Sequence, residues 1–281
     1  MTFSSEVLSI EVAGNVGTLW LDRPQARNAM GRAFFDDLPR AMTALAGDPE
    51  VRAVVVAAKG PAFTVGLDLK EMGSQFAGGA TGGGDDRRPP SHAKVSMGIF
   101  GSVGPWQDAI SSLERCSKPV IAAVHGWVIG GGIDLITSAD IRLAAADAKF
   151  SVRETKVGIV ADLGTLQRLP RVIAAGHVAE LAYTGKDIDA ERAREIGLVN
   201  DVHPDAEAVV KAAQEMASEI AANSPLVVQG TKHVLRAGRD MTVQEGLEYV
   251  GLWNSAFLQS NDLVEAMMAF MEKRDAHFGG D

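Results

Sequence analysis

The chain has 281 residues, 46% of them hydrophobic and 22% charged, with a formal net charge of −9. That is ample apolar material for a sizeable core and leaves one or two domains open. The acidic balance argues against a nucleic-acid partner, which wants a basic face, but not against a small anionic ligand held by a few local cations.

The first residues, MTFSSEVLSIEV, lack a basic stretch followed by an apolar core, and no apolar run reaches the ~20 residues of a membrane helix. The last residues, HFGGD, do not read as a Ser-Lys-Leu address, so a cytoplasmic location is expected. Val7–Val12 and Val16–Leu21 are apolar runs joined by Ala13-Gly14-Asn15, a hairpin signal. A helical stretch follows over Gly31–Leu45. Val51–Ala57 is a β-branched run of the kind buried on both faces of a parallel sheet. Residues 73–91, GSQFAGGATGGGDDRRPPS, offer little to bury and read as a long mobile loop. Cys116, the single cysteine, excludes an intrachain disulfide and reads as a small buried side chain. Val120–Val124 repeats the buried-strand pattern before a helix starting near Gly132, and alternating strands and helices imply crossover connections. From 204 on the pattern turns helical. Ala206–Ala222, Leu226–Arg236, Thr242–Leu258 and Asp262–Arg274 carry apolar residues at three- and four-residue spacing. This divides the chain into an α/β part, 1–203, and a helical part, 204–281.

Several chemistries find no machinery. The six histidines are scattered without the pairing a metal site wants, and no metal is expected. Neither a GxxxxGK[ST] phosphate loop nor a GxSxG nucleophile elbow occurs, and the glycines of Gly126–Gly132 are misspaced for a dinucleotide fingerprint.

Two glycine turns remain. In residues 118–141, KPVIAAVHGWVIGGGIDLITSADI, a buried strand leads through glycines into Ile133–Ser138. Glycines at a helix start allow close backbone approach and leave N–H groups pointing outward, suited to a developing anion such as a thioester enolate. A turn used only for tight packing has the same appearance. The other turn, Ala62–Leu69, which comes first along the chain, follows the strand Val51–Ala57 and again holds a glycine, Gly66. Two turns at the carboxyl ends of parallel strands can aim two donors at one oxygen.

The segments LDRPQARNAM (21–30), FTVGLDLKEM (63–72), 118–142 and FSVRETKVGIVADLGTLQRLPR (150–171) resemble the crotonase, or enoyl-CoA hydratase/isomerase, family. The resemblance implies an α/β crotonase-like spiral of repeated ββα units, with a helical C-terminal region that forms trimers, often paired into hexamers. It implies an acyl-CoA thioester substrate, coenzyme A being part of the substrate, and no separate cofactor. It assigns an oxyanion hole to the N–H groups of Leu67 and Gly131, and substrate binding to Ala26, Ala62, Thr64, Gly66, Asp68, Leu69 and Gly130. From the acidic balance and the lack of a long apolar run, no nucleic acid and no membrane are expected.

Members of that family differ in the acid/base groups facing the acyl chain, which makes Asp134, Glu154 and Asp162 decisive. A hydratase carries glutamate at the first two positions and a small residue at the third. Here the first is aspartate, shorter by one methylene and so by ~1.3–1.5 Å, and the third is Asp162. The Asp…Glu…Asp pattern resembles the Δ3,5-Δ2,4-dienoyl-CoA isomerases. That resemblance implies Glu154 at C2, Asp162 at C6 and Asp134 orienting the pair. Taken singly, Asp162 also fits a helix N-cap, Asp134 a favourable helix-dipole charge and Glu154 a surface charge. Arg168 and Arg171 read as a solvated face, or as cations near CoA phosphates or a neighbouring subunit, and Asp140 and Arg142 as structural. A plain enoyl-CoA hydratase, an unusual acyl substrate and a non-catalytic RNA- or protein-binding relative stay open.

Overall fold

The computed structural model describes residues 3–71 and 91–281. The loop expected over 73–91 lies outside them apart from Ser91. Two hairpin strands, β1 (Leu8–Ala13) and β2 (Val16–Leu21), pair antiparallel, and a helix α1 (Arg32–Gly47) follows. β3 (Ala53–Ala58) lies parallel to β2, and helix α2 (His92–Arg115) leads to β4 (Val120–Val124). Next come β5 (Trp127–Ile129), α3 (Gly131–Thr137), β6 (Ile141–Ala145) and β7 (Lys149–Ser151). A short helix α4 (Thr165–Arg168) and α5 (Ala175–Thr184) precede β8 (Ile188–Asp189), α6 (Ala190–Glu195) and β9 (Asp201–His203). Four helices close the chain: α7 (Ala206–Ala221), α8 (Pro225–Ala237), α9 (Val243–Phe257) and α10 (Asn261–Glu272).

The strands form a six-stranded sheet in the order β1-β2-β3-β4-β6-β9, parallel beyond the first pair, and a three-stranded sheet β5-β7-β8. Parallel strands must be covered on both faces because helical crossovers lie there, and β3 is buried throughout. Its side chains alternate. Val54, Val56 and Ala58 join the core that includes Phe34, Leu38 and Met42 of α1, whereas Ala53, Val55 and Ala57 face Val209, Ala213 and Ala217 of α7. Small residues four apart on α7 give a flat stripe that lets the helix sit close to the sheet.

Helix α2 is absent from the sequence reading. Gly98, Gly101, Gly104 and Pro105 are poor helix formers and mask its apolar positions Trp106, Ala109, Ile110 and Leu113, which pack inward. Asp140 behaves as expected of a structural residue: it accepts from the Val120 amide at 2.8 Å and pairs with Lys232 at 2.7 Å. Arg142 donates to the Leu198 and Ala139 carbonyls. Among the described residues no helix is long and apolar enough to cross a membrane. Helices α9 and α10 expose large apolar side chains, among them Leu252, Phe257, Met267, Phe270 and Met271.

Candidate active site

The two glycine turns meet. Residues 62–67 run beside β5, with the Thr64 amide donating to the Trp127 carbonyl at 2.9 Å and the Ile129 amide to the Thr64 carbonyl at 3.2 Å. Gly66 is left-handed at φ +84°, and a Cβ there would lie 2.8 Å from the Ile129 carbonyl oxygen and 3.6 Å from the Gly131 nitrogen. Only glycine lets the two backbones approach this closely.

The first turn directs one donor by its bonding to Met30. The Met30 amide takes the Gly66 carbonyl at 2.8 Å, and the Asp68 amide takes the Met30 carbonyl at 2.9 Å. These two bonds form a parallel bridge between Met30 and Leu67, which leaves the Leu67 N–H facing away from Met30, and Leu67 lines the cavity. The second donor belongs to Gly131, the first residue of α3, whose N–H has no intrahelical acceptor. Both are backbone groups on well-braced elements, the preorganisation that stabilises a developing oxyanion.

The carboxylates arrive from three different elements. Asp134 stands in the first turn of α3 at 1% exposure, where its Oδ1 accepts from the Thr165 amide at 2.5 Å. Burial pushes its carboxyl up to about 6, against the lowering effect of the hydrogen bond from Thr165 and of Arg168. Glu154 follows β7, whose end is tied to the second turn by a 2.9 Å bond from the Gly130 amide to the Ser151 carbonyl. Its carboxylate lies against Gly130, where a Cβ would sit 3.2 Å from Oε1. Its Oε2 is buried and has no hydrogen-bond partner among the described residues. Burial first, and the negative charge of Asp134 second, push Glu154 up to about 7. A carboxylate in that range exchanges protons readily near neutrality. Asp162 lies on the loop before α4 and is more exposed; burial raises its carboxyl too. It caps no helix, because Gly164 holds the N-cap position of α4.

One cavity collects these groups. Gly66, Leu67, Leu69, Gly130, Gly131, Asp134, Glu154 and Asp162 line it, with Trp106 and Leu163 supplying apolar wall. The other residues expected to bind substrate do not line this cavity. Thr64 is fully buried; its Oγ1 donates to the Asn28 carbonyl at 2.6 Å and accepts from the Gly66 amide at 3.1 Å. Ala62 is buried and its carbonyl accepts from Asn28. Ala26 sits in a short 3-10 turn. Asp68 is ion-paired with Arg23 at 2.9 Å and accepts from the Lys70 and Glu71 amides.

Two contributors carry no distinguishing signal in the sequence. Asn28, left-handed at φ +54°, joins the Arg23 amide to the Lys59 and Ala62 carbonyls and so braces the first turn. Asparagine tolerates that conformation, a signal too common to single it out. Trp106, stacked on Phe35 at 5.3 Å between ring centroids, comes from the unrecognised helix α2. Arg168, expected on a solvated face, is instead ion-paired with Glu114 at 2.9 Å and only 14% exposed.

A family model described as enoyl-CoA hydratase/isomerase matches residues 11–85 and 101–281. A protein of Dictyostelium discoideum named mitochondrial Delta(3,5)-Delta(2,4)-dienoyl-CoA isomerase is 41% identical over 94% of this chain and 87% of its own length. A peroxisomal protein of that name from Arabidopsis thaliana is 39% identical over 97% of this chain and 96% of its own. Among solved structures, an enoyl-CoA hydratase from Bacillus anthracis superposes with a TM-score of 0.86 at 29% identity, covering 98% of this chain and all of that one. The crotonase-type fold expected from the sequence is therefore present. The cytoplasmic expectation is overturned, because these relatives are named for mitochondria and peroxisomes.

Proposed function

The chain belongs to the enoyl-CoA hydratase/isomerase family, and on that premise we propose that it converts a 3,5-dienoyl-CoA to the 2,4-dienoyl-CoA. The observation that carries the reading is Asp162, a third carboxylate on the cavity that Asp134, Glu154 and the two backbone donors also line. The isomerase relatives support it.

In this reaction ionised Glu154 removes a proton from C2 of the thioester. The electron pair spreads over the thioester oxygen, C4 and C6, with the oxygen held by the Leu67 and Gly131 N–H groups. Protonated Asp162 then delivers a proton to C6, leaving double bonds at C2 and C4. One proton leaves and one arrives, so the substrate's composition is unchanged, and solvent restores both carboxyls. Two carboxylates divide work that one could not reach, since C2 and C6 lie four bonds apart. Asp134 raises the proton affinity of Glu154 by its charge and orients the loop through the Thr165 amide. Coenzyme A is part of the substrate, so this reaction draws on no separate cofactor.

A hydratase would use Asp134 and Glu154 together to hold a water, yet one Asp134 oxygen is committed to Thr165. The two readings separate in a spectrophotometer. Isomerisation brings the diene into conjugation with the thioester and creates absorbance, whereas hydration of crotonyl-CoA removes it. The wild type should act on the dienoyl substrate, and Asp162→Asn should lose about 10²-fold or more of that rate. An Asp162→Asn enzyme as fast as wild type, or a wild type that only hydrates, refutes the assignment.

The exposed apolar side chains of α9 and α10 support assembly into a homotrimer or a hexamer, larger than scattered surface apolar residues require. Sedimentation equilibrium should give a mass of three or six chains, and a monomer would refute it.

A further inference from the structure

We propose that Arg168 is a positioning residue which, with Gln107, Ser111 and Glu114 along one face of α2, clamps the Asp162 loop and so decides which carbon of the enolate receives the proton. The proposal rests on the isomerase reading above.

Each arm of the Arg168 guanidinium is used. Nε pairs with Glu114 Oε2 at 2.9 Å, Nη2 donates to Ser111 Oγ at 2.6 Å, and Nη1 donates to the Leu163 carbonyl at 3.2 Å. One helical turn earlier on α2, Gln107 Nε2 donates to the carbonyl of Asp162 itself at 2.6 Å. Positions 107, 111 and 114 are four and three residues apart, hence on one helix face. The planar fork of arginine satisfies several acceptors in fixed geometry, as lysine cannot. Gly164 gives the fork its space: it is left-handed at φ +126°, and a Cβ there would lie 1.8 Å from Arg168 Nη1.

The loop is held from its other side as well, where the Thr165 amide donates to Asp134. Residues 162–165 thus span α2 and α3, with Asp162 projecting between them onto the cavity. Trp106, beside Gln107, lines the same cavity, so one turn of α2 sets both a wall of the acyl pocket and the height of the acid along it. That height matters because the enolate carries negative charge at C4 and at C6. These carbons are two bonds, about 2.5 Å, apart. Protonation at C4 gives the unconjugated 2,5-dienoyl-CoA, and protonation at C6 gives the 2,4-dienoyl-CoA. Shifts of about 1 Å are enough to change the outcome of such a transfer.

The test uses the full-length assembled enzyme and a 3,5-dienoyl-CoA in deuterium oxide, with NMR locating the deuterium. Wild type should label C6. Arg168→Met, checked for folding by circular dichroism, should lose about tenfold or more in kcat at a KM within about twofold, and should place deuterium at C4 with 2,5-dienoyl-CoA in the product. Arg168→Lys should fall between, and Gln107→Leu, at an exposed side chain, should move the ratio the same way by less. Arg171→Gln, an exposed pair with Asp240, should match wild type. Folded Arg168→Met with wild-type labelling at C6 overturns the clamp, whether its rate falls or not. If Arg168→Met does not fold, unchanged labelling by Gln107→Leu overturns it. Wild type yielding no 2,4-dienoyl-CoA defeats the isomerase reading and the clamp together, whereas the preceding outcomes defeat the clamp alone.

Discussion

The two walls of the cavity are built from different material. One is backbone: the Gly66–Leu67 turn and the Gly130–Gly131 turn, laced together by main-chain hydrogen bonds and packed without room for a Cβ at Gly66. The other is side chain: three carboxylates from α3, from the end of β7 and from the loop before α4, ranging from 1% exposed Asp134 to exposed Asp162. In the proposed reaction the backbone wall holds the thioester oxyanion, and the carboxylate wall selects which carbons lose and gain a proton. That division is compatible with a hydratase structure at 29% identity and relatives named isomerases sharing one fold.

The sharpest way to break the comparison is on the carboxylate wall. Glu154→Gln keeps shape and removes the base, and kcat on a 3,5-dienoyl-CoA should fall about 10²–10⁴-fold in steady-state assays. A residual rate near wild type would move the C2 base elsewhere. On the backbone wall, Gly66→Ala puts a methyl 2.8 Å from the Ile129 carbonyl oxygen at a left-handed position and should cost about 10²–10³-fold in kcat/KM. Leu67→Ala, which keeps the N–H, should stay within a few-fold of wild type. If Leu67→Ala is as damaging as Gly66→Ala, the wall acts through side chains after all.

A smaller effect tests the coupling between carboxylates. Glu154 must be ionised to take the C2 proton, so kcat/KM should rise with pH through about 7. Part of that elevation comes from the Asp134 charge. Asp134→Asn should therefore slide the acidic limb to lower pH, and a limb that stays or moves up would detach the two groups. The smallest effect is on stability. Glu154 binds its proton more tightly folded than unfolded, so the fold loses stability as pH rises from about 4.5 to about 7 and no further. Glu154→Gln escapes this loss and should be more stable by on the order of 2 kcal/mol at pH 8. In urea titrations the difference should vanish below pH 4.

Local chemistry was legible where it repeats in short stretches. The hairpin at Ala13–Asn15, the buried runs that become β3 and β4, and the spacing of the four C-terminal helices all appear nearly where expected. The glycine turns and the three carboxylates also stand out as a pattern. Helix α2 did not, because three glycines and a proline within it erase the propensity signal and tertiary packing at Trp106 and Ile110 overrides them. Arg168 looked solvated because its partner Glu114 lies 54 residues upstream, and no local rule joins the two.

The sequence alone thus determined the fold class and displayed the two glycine turns and the three carboxylates as a pattern, since glycine placement and apolar periodicity act over a few residues. Tertiary structure decided the rest. It brought Glu154 against Gly130 through the parallel pairing of β5 and β7, raised its proton affinity by burial beside Asp134, and fixed the Asp162 loop between α2 and α3. Distances, burial and charge coupling between remote segments exist only once the chain has closed on itself, and those quantities make three ordinary carboxylates into a site.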